Sequence, residues 1–335
     1  MGTKTVLQAR NREASRRWSK AERESRESRP GTGRSVEASS IAHWGEVVQG
    51  PIVLPNGDIV IGLVTQPDPT FRATVVAKVQ HGSGIFCGHA GKWKAFDTAC
   101  IAQRAAQVRI GLSLLIRSNI PEGVGAGSST ADCTAVALAV LKALGEGAAA
   151  MSDLDILREI VFKAEKACDP LPLLKWGVPV LWGSRCGELI KVYESRMPET
   201  HALGFVTQPG VIVSTDDLAR KQAQVKPLQA DVDSFAAILQ QLDYAIRTGS
   251  ARGVAEAATA SGTLNQRHCR ILHWDRLLAL AGKVGALGVS CSHSGTAAAL
   301  LFEPDAELST RILEASAVLR EMGAAYIHEF RPYGR

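Results

Sequence analysis

No two cysteines of this chain are spaced as CxxC, and no cysteine–histidine grouping has the spacing of a metal knuckle. The seven cysteines, at 87, 100, 133, 168, 186, 269 and 291, are odd in number. They read as reduced thiols of a cytosolic protein, and Cys87 and Cys291 as small buried hydrophobes. A long apolar run is missing too. The most apolar stretch, 134–151, is interrupted by Lys142, Gly145, Glu146 and Gly147 and is too short to span a bilayer. The first residues hold no apolar core with a cleavage site, which excludes a secretory signal. They have the Arg and Ser content of an organellar transit peptide, but four glutamates argue against that assignment.

The folded body also lacks a basic excess. The 335 residues carry a formal charge of +5, yet residues 1–35 alone hold ten Lys or Arg against four Glu. The remainder has 28 basic and 29 acidic residues, so the body offers no nucleic-acid surface. Residues 1–35 contain too little apolar surface to offset the entropy of ordering and are expected to form a flexible basic tail. An electrostatic tether for RNA or a partner is the functional alternative for that tail.

What is present is a mixed succession of strands and helices. Asn56-Gly57-Asp58 predicts a hairpin within 47–64. A further strand is expected at 72–79 and a helix at 99–107. Alternation of apolar and polar residues predicts a half-buried strand over 108–117. Helices follow at 128–144 and at 153–167, the second capped by Ser152. Strand pairs are expected at 178–182 with 188–192, and at 203–207 with 211–214. Helices are expected at 232–248, 251–264, 276–284 and 308–322, and strands at 286–290, 297–302 and 325–330. The class is α/β (α+β), with no internal repeat.

Between the alternating strand and the alanine-rich helix lies Pro121-Glu122-Gly123-Val124-Gly125-Ala126-Gly127-Ser128-Ser129-Thr130. Crowded negative charge on a polyphosphate needs many donors at close range. Glycines let backbone N–H groups approach, and a helix start adds unpaired N–H groups and a positive dipole end. A Walker A loop requires Gly-Lys-Ser/Thr, and no lysine follows Gly127. A dinucleotide fingerprint requires a third glycine where Thr130 stands. The alternative is a glycine-rich turn capped by serine.

This segment resembles the second motif of the GHMP kinases, the superfamily of galacto-, homoserine, mevalonate and phosphomevalonate kinases, whose usual form is Pro-x-x-x-Gly-Leu-Gly-Ser-Ser-Ala. Ala126 replaces the usual Leu and Thr130 the usual Ala. His43-Trp44-Gly45-Glu46-Val47-Val48-Gln49-Gly50 is similar to the first motif. It is similar to the Gly-Glu-Leu-x-Gln-Gly form of the L-threonine kinase branch of cobalamin biosynthesis, and in the family this segment lines the acceptor site. Gly288-Val289-Ser290-Cys291-Ser292-His293-Ser294-Gly295-Thr296 is similar to the third motif, a Gly/Ser turn packed against the phosphate loop. His293 is assigned no catalytic role. The stretch 261–267, with Asn265 and Gln266, also points to the threonine kinase branch.

The resemblance covers about 37–335 and implies two sub-domains. One, 36–200, resembles the second domain of ribosomal protein S5 and binds ATP. The other, 201–335, is ferredoxin-like. ATP and Mg2+ are the implied cofactors, with Pro121, Gly123, Gly125, Ala126, Gly127, Ser128, Ser129 and Thr130 around the nucleotide. Glu46, Gln49, Asn265, Ser294 and Gly295 are the implied acceptor residues. Ser129 is the implied hydroxyl ligand of magnesium. Glu165 is either its carboxylate partner or a solvated helix glutamate. Asp169, in an Asp-Pro pair, is either the base that takes the acceptor's proton or a turn former. Arg267, Arg185 and Glu46 are candidates for gripping an amino acid's charged ends.

The implied reaction is ATP plus L-threonine to ADP plus O-phospho-L-threonine, supplying the aminopropanol linker of cobalamin. The rivals are a GHMP kinase for homoserine, a sugar or an isoprenoid alcohol, and a nucleotide-binding regulatory protein without chemistry. A cytoplasmic monomer or homodimer, with no nucleic-acid or membrane partner for the body, completes the expectation.

Overall fold

The computed structural model describes residues 31–89, 91–145, 154–166, 169, 178–212 and 227–334. The tail up to residue 30 and the Ser152 cap lie outside the described residues. The body opens with a hairpin of two long strands, β1 (Ser35–Val53) and β2 (Ile59–Gln80). Its turn is the Asn-Gly-Asp sequence: Asp58 N–H donates to Asn56 Oδ1 at 3.0 Å, and Leu54 N–H to Asp58 O at 2.8 Å. The strand expected at 72–79 is the far half of β2. Asp68 pairs with Ala42 and Arg72 with Ile41, so residues 69–71 form a bulge on β2 and the strand stays continuous.

β3 (Ile85–Cys87) and β4 (Gly111–Ser118) extend this sheet, β4 antiparallel to β2 and β3 parallel to β4. β4 begins three residues later than alternation predicts, and the short β3 gave no periodic signal. Helices α1 (Trp93–Ala105), α2 (Ser128–Ala143) and α3 (Leu154–Glu165) pack with this half. α1 starts six residues before the predicted helix, at Trp93, with no side-chain cap to announce it. α2 is buried on most of its faces, which accounts for its many alanines: small side chains let the helix approach the sheet and α1 closely.

β5 (Val180–Gly183) pairs with β2 and with β6 (Glu188–Val192). The C-terminal half contains β7 (His201–Val206), α4 (Gln229–Thr248), α5 (Ala251–Asn265) and α6 (Trp274–Lys283). After these come β8 (Gly288–Cys291), β9 (Ala297–Phe302), α7 (Leu308–Glu321) and β10 (Ala325–Phe330). The strand order β10-β7-β9-β8-β1-β2-β4-β3 makes one mixed α/β sheet structure from both halves. The pairing expected between 203–207 and 211–214 does not form. β7 pairs with β10 and β9, Val211 and Ile212 stand outside any strand, and 213–214 lie outside the described residues. β9 and β10 occupy both edges of β7, which leaves none for a local hairpin.

The two halves meet where β1 and β8 touch, through the single register pair Glu46 with Cys291. No helix among the described residues is long and apolar enough to cross a membrane.

Candidate active site

A cavity of about 440 Å³ lies over the start of α2, a size in the range of small-molecule sites. Gly123, Gly125, Ala126, Gly127, Ser128, Ser129 and Thr130 all line it. Gly123, Gly125 and Gly127 have φ of 74°, 80° and 67°, the left-handed region that side chains avoid. At Gly125 an added Cβ would strike the Ser294 hydroxyl, and at Gly127 the His43 ring, so close approach demands glycine there as well. The first helical hydrogen bond of α2 runs from Ala131 N–H to Gly127 O at 2.9 Å. The amides of Ser128, Ser129 and Thr130 precede it, the usual orphan donors of a helix start. The loop is braced from the third motif: Thr296 Oγ1 donates to Val124 O at 2.6 Å, and Ser294 Oγ lies 2.8 Å from Thr296 Oγ1.

Charged side chains flank the loop. Ser129 Oγ donates to Glu165 Oε1, which also accepts from Cys133 Sγ at 3.2 Å. Lys94 Nζ, from the first turn of α1, donates to Glu165 Oε2 at 3.2 Å. Glu165 is buried, so it is not the solvated helix glutamate of the alternative reading. Beside it, Lys92 Nζ donates to Asp132 at 2.5 Å and to Glu122 at 2.8 Å. Burial alone would lower the Lys92 pKa, but the two carboxylates outweigh it and the net direction is up. Burial raises the Asp132 pKa and Lys92 only partly offsets that. Lys92, Lys94 and Asp132 were missed by sequence reasoning, because nothing in a lone Lys-Trp-Lys announces contacts with a glycine loop some 30 residues away.

The other end of the cavity is built on an irregular stretch of β1. In a regular strand, residues three apart face opposite sides. Here register shifts between His43 and Glu46 and between Glu46 and Val48, with Gly45 at φ 77°, turn both side chains toward the same group. His43 Nε2 donates to Asp169 Oδ2 at 3.0 Å, and His43 Nδ1 lies 3.7 Å from Glu46 Oε1. The Asp169, His43 and Glu46 side chains are 19 %, 5 % and 0 % exposed. Neither Glu46 oxygen accepts a hydrogen bond of ordinary geometry, although the Thr65 hydroxyl is near.

Electrostatics follow from this burial. Desolvation would lower the His43 pKa, but Asp169 outweighs it and the imidazole is raised to about 9. Desolvation raises Glu46 to about 8, against the pull of His43. Asp169 resists its own desolvation because His43 holds it ionised, and its pKa falls below the usual range. The arrangement is an imidazolium between an ionised Asp169 and a largely neutral Glu46. The three groups come within 4.8 Å of one another, yet opposite ring nitrogens face the two carboxyls, which suits a bridging imidazolium better than a metal ion. His43 was quoted within its motif but given no role; only the bulge reveals one.

The structure brings Glu46, Asp169, Glu165, Ser129 and Ser294 to one cavity, together with Arg185 and His293. Burial lowers the His293 pKa to about 4, so its ring is neutral. Its Nδ1 is 2.8 Å from Gln49 Oε1. Gln49 stands behind that ring, its amide donating to Cys291 O at 3.0 Å. Asn265 is buried against the Cys291 thiol, and Gly295 turns the loop at φ 78° over Arg270. These three, and Pro121, do not line the cavity. Arg267 faces outward and pairs with Asp231 at 2.5 Å.

Residues 93–171 match the family model described as GHMP kinases N terminal domain. No curated protein matches the chain. Among solved structures, homoserine kinase from Cytophaga hutchinsonii superposes with a TM-score of 0.64 at 18 % identity, covering 89 % of this chain and 94 % of that one. Mevalonate kinase of Methanococcus jannaschii gives 0.60 at 12 % identity, covering 90 % and 98 %. Mevalonate diphosphate decarboxylase of Enterococcus faecalis gives 0.65 at 13 % identity, covering 89 % and 98 %. The chain has the fold of the GHMP kinases, and its glycine loop, Glu165 and Asp169 fall within the matched domain.

Proposed function

We propose that the protein is an ATP-dependent kinase of the GHMP type that phosphorylates a small alcohol, with L-threonine as acceptor and O-phospho-L-threonine as product. The observation that carries this reading is the continuity of one cavity from the glycine loop to Asp169. A donor for the phosphoryl group and a receiver for the hydroxyl proton thereby face the same space.

In this reading the amides of 123–130 and the α2 N-terminus hold the phosphates. Ser129 Oγ and the Glu165 carboxylate, hard oxygen donors at the loop, fit Mg2+ and would hold it. When bound, the ion neutralises charge on the transferring phosphate. Asp169 accepts the hydrogen bond of the acceptor hydroxyl. As that oxygen bonds to the γ-phosphorus, the bond to the bridging oxygen of ADP breaks and the proton passes to Asp169. A carboxylate of lowered pKa is a weak base, which suits a loose transition state in which the proton moves late. His43 keeps Asp169 ionised and aimed.

L-threonine is supported by the similarity of 43–50 to the first motif of the threonine kinase branch. Arg185, on the cavity wall, offers a cation for the acceptor's carboxylate. The product would serve the aminopropanol linker of cobalamin. A coupled ADP assay over threonine, serine, homoserine, a sugar and an isoprenoid alcohol tests the proposal. ADP formed with threonine at the highest kcat/KM is the expected result. Turnover of another alcohol with none of threonine removes the acceptor assignment. ATP binding without ADP from any alcohol leaves a nucleotide-binding protein without chemistry.

A further inference from the structure

We infer that Lys94 is a phosphate-binding residue that supplies the cation missing from the glycine loop, and that its contact with Glu165 is the resting position of that cation. The inference rests on the kinase reading above and assigns a residue that neither the glycine-loop motif nor the family resemblance points to.

The loop itself carries no lysine after Gly127, so a triphosphate held by amides alone would leave much charge unmatched. Two ammonium groups reach the cavity from the start of α1, and their surroundings differ. Lys92 is held between two carboxylates, Asp132 and Glu122, and is already overmatched. Lys94 has one hydrogen-bonded partner, Glu165 Oε2 at 3.2 Å, and otherwise lies 5.7 Å from the Trp93 ring. Its side chain is 17 % exposed, against 2 % for Glu165, so its outer end has access to the cavity.

Glu165 is also the carboxylate best placed to hold magnesium, because its other oxygen meets the Ser129 hydroxyl. An ammonium and a divalent cation on one carboxylate repel each other strongly. Loading the site therefore expels Lys94 from Glu165, and the closest opposite charge is the phosphate chain over the same loop. A four-carbon stem makes that swing without moving α1. Lys94 thus neutralises a buried carboxylate in the empty site and the nucleotide in the filled one.

The test compares wild type, Lys94→Met and Lys94→Arg by turnover at varied Mg2+ and by binding of AMPPCP with Mg2+. Lys94→Met should lower kcat about 100-fold at saturating Mg2+, the scale of removing one charge-stabilising donor. It should weaken AMPPCP binding about tenfold, and Lys94→Arg should recover most of both losses. A residue that merely neutralises Glu165 gives the opposite pattern: full kcat in Lys94→Met once Mg2+ saturates, with unchanged AMPPCP affinity. That pattern overturns the inference. If wild type forms no ADP with any alcohol, the kinase reading fails by itself. AMPPCP binding then decides Lys94, equal affinity in wild type and Lys94→Met counting against it.

Discussion

The two ends of the cleft solve the problem of holding charge in opposite ways. At the glycine-loop end, backbone lines much of the cavity and each buried acidic side chain has a cation on it: Lys92 on Asp132, Lys94 on Glu165. At the acceptor end, side chains do the work, and they are buried deeply enough to titrate abnormally. His43 is pushed up to about 9, Glu46 up to about 8 and His293 down to about 4. This second arrangement is specific to a shape and a protonation state.

The sharpest way to break the comparison is to remove one carboxylate from each end. Asp169→Asn should lower kcat about 1,000-fold, within the usual range for loss of a positioned base. AMPPCP affinity should change less than about threefold, since no phosphate contact is lost. Near-normal turnover would remove Asp169 as the proton acceptor. Glu165→Gln should act at the other end, with a smaller effect on kcat of about 100-fold. Its signature is a raised Mg2+ requirement, read from initial rates at fixed ATP. If the requirement is unchanged, Glu165 is not the magnesium carboxylate.

The same contrast explains what the sequence made legible. The glycine-loop end is local. Ten consecutive residues carry the loop and the helix start, and their glycines are required by backbone geometry that any reader of the sequence can anticipate. The acceptor end is drawn from 43–46, 169, 185 and 293, which are joined by a bulge in β1 and by the seam between β1 and β8. No local rule places His43 on Asp169. Strand and helix types were foreseen for most long elements, because their apolar periodicity is set by burial on one face. The misses were a three-residue strand with no period, the continuity of β2 between the two strands expected at 47–64 and 72–79, and a strand pair at 203–214. That last pairing lost to partners distant in sequence. Lys92 and Lys94 were invisible for the same reason as His43: their partners, Asp132 and Glu165, are 40 and 71 residues away along the chain.

A further expected effect is on stability, and its largest source is the buried cluster at His43. The His43 pKa in the folded chain lies above its ordinary 6.5, so the stabilisation from its charged form is complete below about 6.5 and is lost as pH rises through about 9. Glu46 has the same sign. Burial favours its neutral form, and its cost grows as pH rises from 4.5 toward about 8. Asp169 acts in the acid range: its pKa is lowered, so its contribution is present above 3.8 and lost as pH falls through the folded value. The groups acting on His43 are Asp169, Glu46 and the Gly45 backbone, and Asp169 provides the largest upward pull. A rise from 6.5 to about 9 corresponds to at most about 3 kcal/mol. Wild type should therefore lose thermal stability between pH 6.5 and 9. Asp169→Asn, which removes that pull, should show a flatter curve. Parallel melting curves for the two proteins over that interval would mean that His43 is not held charged by Asp169, and the contrast between the two ends would lose its electrostatic basis.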